Sequence, residues 1–132
     1  MVLVDTSAWI EVFRRPQRLM LESMVDFDDV VTCLPVVQEV LQGFTTEEAF
    51  RAGRDAMLAL PMVESPLGGE VFLEAVDLYR RARRAGLTIR SGVDCLIAAC
   101  AVRHQLTILH NDRDYPSLAK VSALDQRQIS RR

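Results

Sequence analysis

Apolar and polar positions fall in short blocks along this chain, and the period changes from block to block. VLVD (2–5) is a brief β-rich run that ends on an acid. TSAWIEVFRR then brings Trp9, Ile10 and Phe13 to one side of a helix, which Pro16 stops. QRLMLESMVDF carries Leu19, Met20 and Met24 and predicts a second helix, antiparallel to the first and sharing a substantial apolar surface with it. LPVVQEVLQG places Pro35 near a first helical turn and Gly43 at its end. TTEEAFRAGRDAMLAL restarts a helix with Thr45 or Thr46 as its cap and Glu48 close behind.

PMVES reads as a short strand. GGEVFLEAVDLYRRARRAG is a long amphipathic helix with Val71, Phe72, Ala75, Val76 and Tyr79 at helical spacing, closed by Gly86. SGVDCLIAACAVRHQ gives another helix, LTILH a strand, NDRDYPSLAK a loop leading into a short helix, and VSAL an edge strand. Strands alternating with helices predict an α/β fold, a parallel sheet covered on both faces. In such folds the functional crevice lies beyond the carboxyl ends of the strands.

Length and composition sharpen this only a little. A chain of 132 residues suits one domain, and 49% apolar residues suffice for a packed core. With 6% aromatics that core is mainly aliphatic. Cys33, Cys95 and Cys100 are an odd set without CxxC spacing, which points to small buried thiols instead of zinc or disulfides. The first apolar run begins at Val2, leaving no room for a leader, and no apolar stretch approaches the roughly 20 residues that span a bilayer. A reduced, cytoplasmic protein is expected. The net charge of -2 gives no argument for a nucleic-acid partner, yet the cations are fifteen arginines and one lysine, Lys120. Arginine's planar fork suits phosphate, and codon bias would give the same count.

The acids change the picture most. Asp5 ends the first strand, Asp112 and Asp114 follow LTILH, and Asp94 starts a helix after the loop 88–91. Singly, Asp5 and Asp112 read as helix caps, Ser91 with Asp94 as a capping box, and Glu39 as a solvated residue off its helix's apolar arc. Jointly, parallel topology brings Asp5, Asp94 and Asp112 to one end of the sheet. Clustered carboxylates repel unless a cation neutralises them, and an oxygen-rich set favours a hard ion such as Mg²⁺ or Mn²⁺. Such a site serves in-line displacement at phosphorus.

Four stretches in order resemble the motifs of PIN-domain ribonucleases, in particular the VapC toxins of bacterial toxin–antitoxin pairs. VLVDTSAWIEVF resembles the opening motif, with its acid at Asp5; PVVQEVLQG the second, at Glu39; TIRSGVDCLIAACA the third, at Asp94; and ILHNDRDY the fourth, at Asp112 and the following Asp114. The resemblance spans nearly the whole chain, 1–132, as a single PIN domain. It implies a three-layer α/β/α sandwich around a short central parallel sheet of four to five strands. It also implies a Mg²⁺- or Mn²⁺-dependent endoribonuclease that leaves a 5′-phosphate. Asp5, Asp94 and Asp112 would hold the metal, Glu39 would be a further ligand or would orient the attacking water, and Asp114 would act from behind them. Thr6 and Ser7 would position a water or a phosphate oxygen. Tyr115 stands where many relatives carry Phe, and Gly92 where many carry a side chain.

Among the arginines of the 80–90 segment (Arg80, Arg81, Arg83, Arg84 and Arg90), Arg84 and Arg90 are the candidates to meet RNA phosphates; a solvated helix face is the alternative. His110 reads as a strand-end neighbour and not a ligand. The resemblance further implies a VapB-type antitoxin lying across the acidic pocket and a homodimer within a larger toxin–antitoxin assembly. Trp9, Phe13, Leu19, Met20 and Met24 offer an apolar landing groove, with intramolecular core or a homodimer contact as the alternative and core the reading for Trp9. Competing readings are a receiver domain, a haloacid-dehalogenase-like phosphatase, a silent PIN module and a DNA-cutting enzyme. Lys120 follows no convincing strand, DRDYP lacks the phosphatase threonine, and all four motif acids are present.

Overall fold

In the computed structural model, residues 1–14 and 18–129 are described. β1 (Val2–Val4) leads into α1 (Thr6–Phe13), and β2 (Val30–Val31) into α2 (Leu34–Gln42) and α3 (Glu47–Leu58). α4 (Gly69–Arg84) and α5 (Gly92–Arg103) then precede β3 (Thr107–His110), α6 (Asp114–Ala119) and β4 (Asp125–Gln128). The strands form one sheet in the order β2-β1-β3-β4, and every pairing is parallel. The α/β architecture with four strands is therefore the expected one.

The central strands are apolar on both faces because helices cover both. Leu3, Val4, Ile108 and Leu109 are all fully buried. α5 is buried almost all round, from Cys95 and Ile97 to Ala101, and its run of alanines and cysteines lets neighbours approach closely. α4 turns Val71, Ala75, Leu78 and Ala82 inward, a spacing of four, three and four residues that makes one stripe. α4 closes at Gly86, whose φ of +77° is open to glycine at no steric cost.

The chain leaves β1 toward β2 on one side, while β3 lies on the other, so the strand order switches direction beside β1. That switch point opens a crevice at the carboxyl ends of β1 and β3. The backbone N–H of Asp5 donates to the Leu109 carbonyl at 2.9 Å, which carries the pairing of the two strands up to the first acid.

Several local expectations do not hold. The second helix does not form: Leu21–Ser23 and Phe27–Asp29 are single 3₁₀ turns. Ser23 Oγ donates to the Met20 carbonyl and Asp26 Oδ1 accepts from the Asp28 N–H, local bonds that compete with an α-helix. Among the described residues the antiparallel helix pair is thus absent, and Pro16 lies outside them. PMVES contributes only an isolated bridge between Thr32 and Met62, and the unforeseen β2 takes the sheet edge instead. The edge strand near VSAL begins at Asp125, because Ser122 bonds the Leu118 carbonyl and the Leu124 N–H and makes a turn there. Phe72, Val76 and Tyr79 face outward from α4 and are not core.

Candidate metal centre

Asp5 follows β1 directly and is buried. Its Oδ2 accepts from the Ser7 N–H at 3.0 Å and from Ser7 Oγ at 2.6 Å, so it caps α1 as expected. Ser7 Oγ in turn accepts from the Asn111 N–H at 2.8 Å, tying the loops after β1 and β3 together. Thr6 Oγ1 donates to Glu39 Oε1 at 3.0 Å. Glu39 is therefore half-buried and turned toward the crevice, not solvated.

Asp94 sits buried in the first turn of α5. Ser91 precedes the helix but makes no side-chain cap bond, so the capping box is not formed. Asp112 Oδ1 accepts from the Asp114 N–H at 2.9 Å. Asp114 is itself buried and accepts three backbone bonds, two from the Arg90 N–H at 3.1 Å and one from the Ser91 N–H at 3.0 Å. It pins the loop before α5 against the start of α6.

One carboxylate oxygen from each of Asp94, Asp112 and Asp114 lies within 4.8 Å of the others. Asp5 joins this triple through Tyr115, whose hydroxyl donates to Asp5 Oδ1 at 2.5 Å and lies 3.4 Å from Asp94 Oδ1. Glu39 stands apart, held by Thr6 and close enough to Asp5 and Asp112 to feel their charge. Asp114, the acid placed last by the sequence, is thus in the tightest group.

The electrostatics follow from the crowding. Burial first, then hydrogen bonding with Asp114 and repulsion from Asp5 and Asp112, push the Asp94 carboxyl from its ordinary 3.8 up to about 9. Burial also raises Glu39, and Asp5 and Asp112 add to the rise while the Thr6 bond opposes it. Burial, followed by the charges of Asp5 and Asp94, drives the Tyr115 phenol well above 10. Among the described residues, Asp94 Oδ2 is buried without a hydrogen-bond partner. A buried carboxylate oxygen left alone beside three other acids is what a cation ligand looks like without its ion. The donor set is all oxygen, which fits a hard divalent ion.

The other candidates are distributed unevenly. Arg90 lines a cavity of about 280 Å³ with Thr88, Arg113, Asp114 and Ser117. Arg84 is exposed at the end of α4. Arg81 is committed to the Val121 carbonyl at 2.8 Å and Asp77 at 2.9 Å. His110 accepts from the Asp112 N–H on Nδ1 at 3.1 Å, so its ring proton lies on Nε2 and goes to Gln126 Oε1 at 2.6 Å. It supports the loop of Asp112 and is no ligand.

The PIN domain family profile matches residues 2–121. The chain belongs to the PIN domain family. Ribonuclease VapC11 of Mycobacterium tuberculosis is 36% identical to it over 94% of this chain and 96% of that protein. VapBC2 from Rickettsia felis, solved with a DNA fragment from its promoter, shares the fold with a TM-score of 0.72 at 16% identity, over 98% of each chain. VapBC-5 from Mycobacterium tuberculosis, a member of the VapBC family of toxin–antitoxin systems, does so with a TM-score of 0.69 at 21% identity, over 96% of this chain and 97% of that one. In this PIN domain the sequence overlooked one residue of the site, Tyr115. Its exchange for the commoner Phe reads as conservative, but the hydroxyl lies between two of the acids. Only its position, three residues after Asp112, hinted at that.

Proposed function

We propose that this chain works as a single PIN domain and is a divalent-metal-dependent endoribonuclease of the VapC kind, checked by a cognate VapB-type antitoxin. The observation that carries the reading is the cluster of two buried acids and the half-buried Asp112, with the partnerless Asp94 Oδ2. Asp5, Asp94 and Asp112 hold Mg²⁺ or Mn²⁺, and Asp114 fixes the loop behind them. When bound, the ion offsets the charge on the phosphoryl oxygens and makes water a better nucleophile. Glu39, its proton affinity raised by burial, orients that water and accepts its proton. Water adds to phosphorus, the P–O3′ bond breaks, the leaving O3′ takes a proton from solvent, and the products carry a 5′-phosphate and a 3′-hydroxyl. Thr6 and Ser7 hold the carboxylates, and each keeps an acceptor lone pair for a water.

The cavity beside Asp114 supports an RNA partner. Among the described residues, the guanidinium groups of Arg90 and Arg113 make no hydrogen bond or ion pair, and Thr88 and Ser117 add hydroxyls. A phosphate next to the scissile one fits there, and Arg84, exposed at the end of α4, is a further candidate contact. The double variant Arg90→Ala/Arg113→Ala is expected to raise KM several-fold with little change in kcat. It is also expected to reduce the salt slope of RNA affinity by about 1.4, at roughly 0.7 for each lost contact to a single strand. Fluorescence anisotropy across a salt series measures this; an unchanged slope would remove these arginines from the RNA path.

A groove of about 310 Å³ between α1 and α2, lined by Ile10, Phe13, Val40 and Phe44, supports the antitoxin partner. Its rim includes Glu39, so an apolar segment seated there would end over the acidic crevice. This groove uses Phe13 from the expected landing surface, whereas Trp9 is core. Phe72, Val76, Tyr79 and Val93 form a second exposed apolar face, on α4 and α5, which supports a homodimer within a larger toxin–antitoxin assembly. Val76→Asp is expected to convert the sedimenting species from dimer to monomer without loss of Mn²⁺ binding; an unchanged sedimentation coefficient would place the dimer contact elsewhere. Cys33, Cys95 and Cys100 are free and buried, in keeping with a cytoplasmic setting, and no described helix is long and apolar enough to cross a membrane. Cleavage of RNA with Mg²⁺ and its loss in EDTA test the reading as a whole.

A further inference from the structure

Tyr115 is fully buried, and its ring packs at 5.0 Å from the ring of His110. His110 is fixed at both nitrogens, by Gln126 on β4 and by the Asp112 N–H. The aromatic ring therefore has no freedom to swing, and its hydroxyl is set at one point between β1 and α5. That hydroxyl has a single proton, which goes to Asp5 Oδ1. Asp5 Oδ2 accepts both Ser7 bonds, so Oδ1, which accepts only from Tyr115, is the Asp5 oxygen that keeps a lone pair. Asp94 Oδ1 faces the same hydroxyl, leaving Asp94 Oδ2 as the oxygen without a partner.

We infer that Tyr115 is a positioning residue that fixes the spacing of Asp5 and Asp94 and presents Asp94 Oδ2 to a divalent cation. The inference rests on the metal-dependent reading of this cluster and adds to it a residue outside the four motif acids. A donor behind a ligating carboxylate orients the ligand and restricts it to one rotamer. Phe at this position would fill the same volume but leave Asp5 Oδ1 without its donor and remove the hydroxyl that stands between Asp5 and Asp94.

The test is Mn²⁺ binding by wild type and Tyr115→Phe, measured by calorimetry and by the loss of the free-ion electron paramagnetic resonance signal. Circular dichroism and the melting temperature in EDTA report whether the variant folds. Tyr115→Phe is expected to weaken Mn²⁺ binding about tenfold, at the low end of the 10–100-fold typical for groups that support a metal ligand. Cleavage by the variant should return toward wild type as Mn²⁺ is raised, with KM for RNA unchanged. In an Asp94→Asn background, the same tyrosine change should have a much smaller effect on Mn²⁺ binding. A folded Tyr115→Phe that binds Mn²⁺ as tightly as wild type would overturn the inference, leaving the hydroxyl as a satisfied core group. Wild type that binds Mn²⁺ but cleaves no RNA would overturn the ribonuclease reading and leave the role of Tyr115 intact. Wild type that binds no Mn²⁺ would overturn both.

Discussion

Asp94→Asn is expected to reduce RNA cleavage by more than about 10²-fold, the upper end of the loss seen when only a ligand's supporting partner is removed. Asn keeps the size and shape of the residue at the start of α5, so the helix and its packing survive. What disappears is the charge that, in the proposed site, holds a cation together with Asp5 and Asp112. RNA binding through Arg90 and Arg113 should persist, because their cavity does not include Asp94. Kinetics at saturating RNA, beside an anisotropy measurement of affinity, separate the two effects. A folded variant that cuts at the wild-type rate would reduce Asp94 to a helix-start residue.

The second large effect joins pH, metal and stability. In the unfolded chain the Asp94 carboxyl titrates near 3.8, and in the folded protein without metal near 9. Between those values the unfolded chain has already released the proton that the folded one retains, so rising pH favours unfolding. The contribution of Asp94 is fully present below about pH 4, declines through neutral pH and is gone once pH passes about 9. Glu39, also raised, adds in the same direction. Unfolding free energy in EDTA should therefore fall as pH rises from 5 to 9, by roughly a few kcal/mol, and the melting temperature should fall with it. The Asp94→Asn curve should lie above wild type, with a gap that widens toward pH 9.

Mn²⁺ reverses the wild-type loss, because it binds the ionised carboxylate and competes with the proton. At 100 times its Kd the ion stabilises by about 2.7 kcal/mol, and the apparent Kd tightens as pH rises, so the melting shift at fixed Mn²⁺ grows with pH. Scanning fluorimetry of both proteins, with EDTA and with Mn²⁺, checks each sign. Parallel wild-type and Asn curves in EDTA would contradict the raised Asp94 carboxyl.

The gathering of Asp5, Asp94 and Asp112 was legible in the sequence because parallel strands carry their carboxyl ends to one edge, whereas Glu39 read as solvated and entered only through the resemblance of its motif. Asp5 follows β1, Asp112 follows β3, and α2 and α5 begin beside them. The helices from Leu34 onward were legible too, since caps, glycines and apolar stripes agree there. The illegible parts are those where the apolar signal is weak or misleading. β2 is two residues long, too short to show an alternation, and β4 (DQRQ) is a polar edge strand with no apolar signal at all. QRLMLESMVDF has helical spacing, but Ser23 and Asp26 turn its backbone into 3₁₀ loops. The same limit hid the site's finer geometry. No periodicity says that Asp114 takes three backbone N–H bonds, or that a phenol stands between Asp5 and Asp94.

The role proposed for the acids is to hold a divalent cation for hydrolysis of RNA, and the most direct test is to identify the ends of the fragments. Purified protein should be incubated with RNA in Mg²⁺ or in EDTA. Cleavage in Mg²⁺ alone, leaving 5′-phosphate and 3′-hydroxyl ends, is the expected result, since water is then the nucleophile. Cleavage that persists in EDTA and leaves 2′,3′-cyclic phosphates would contradict it, because the 2′-hydroxyl would then be the nucleophile and the acidic cluster would have no part in the reaction.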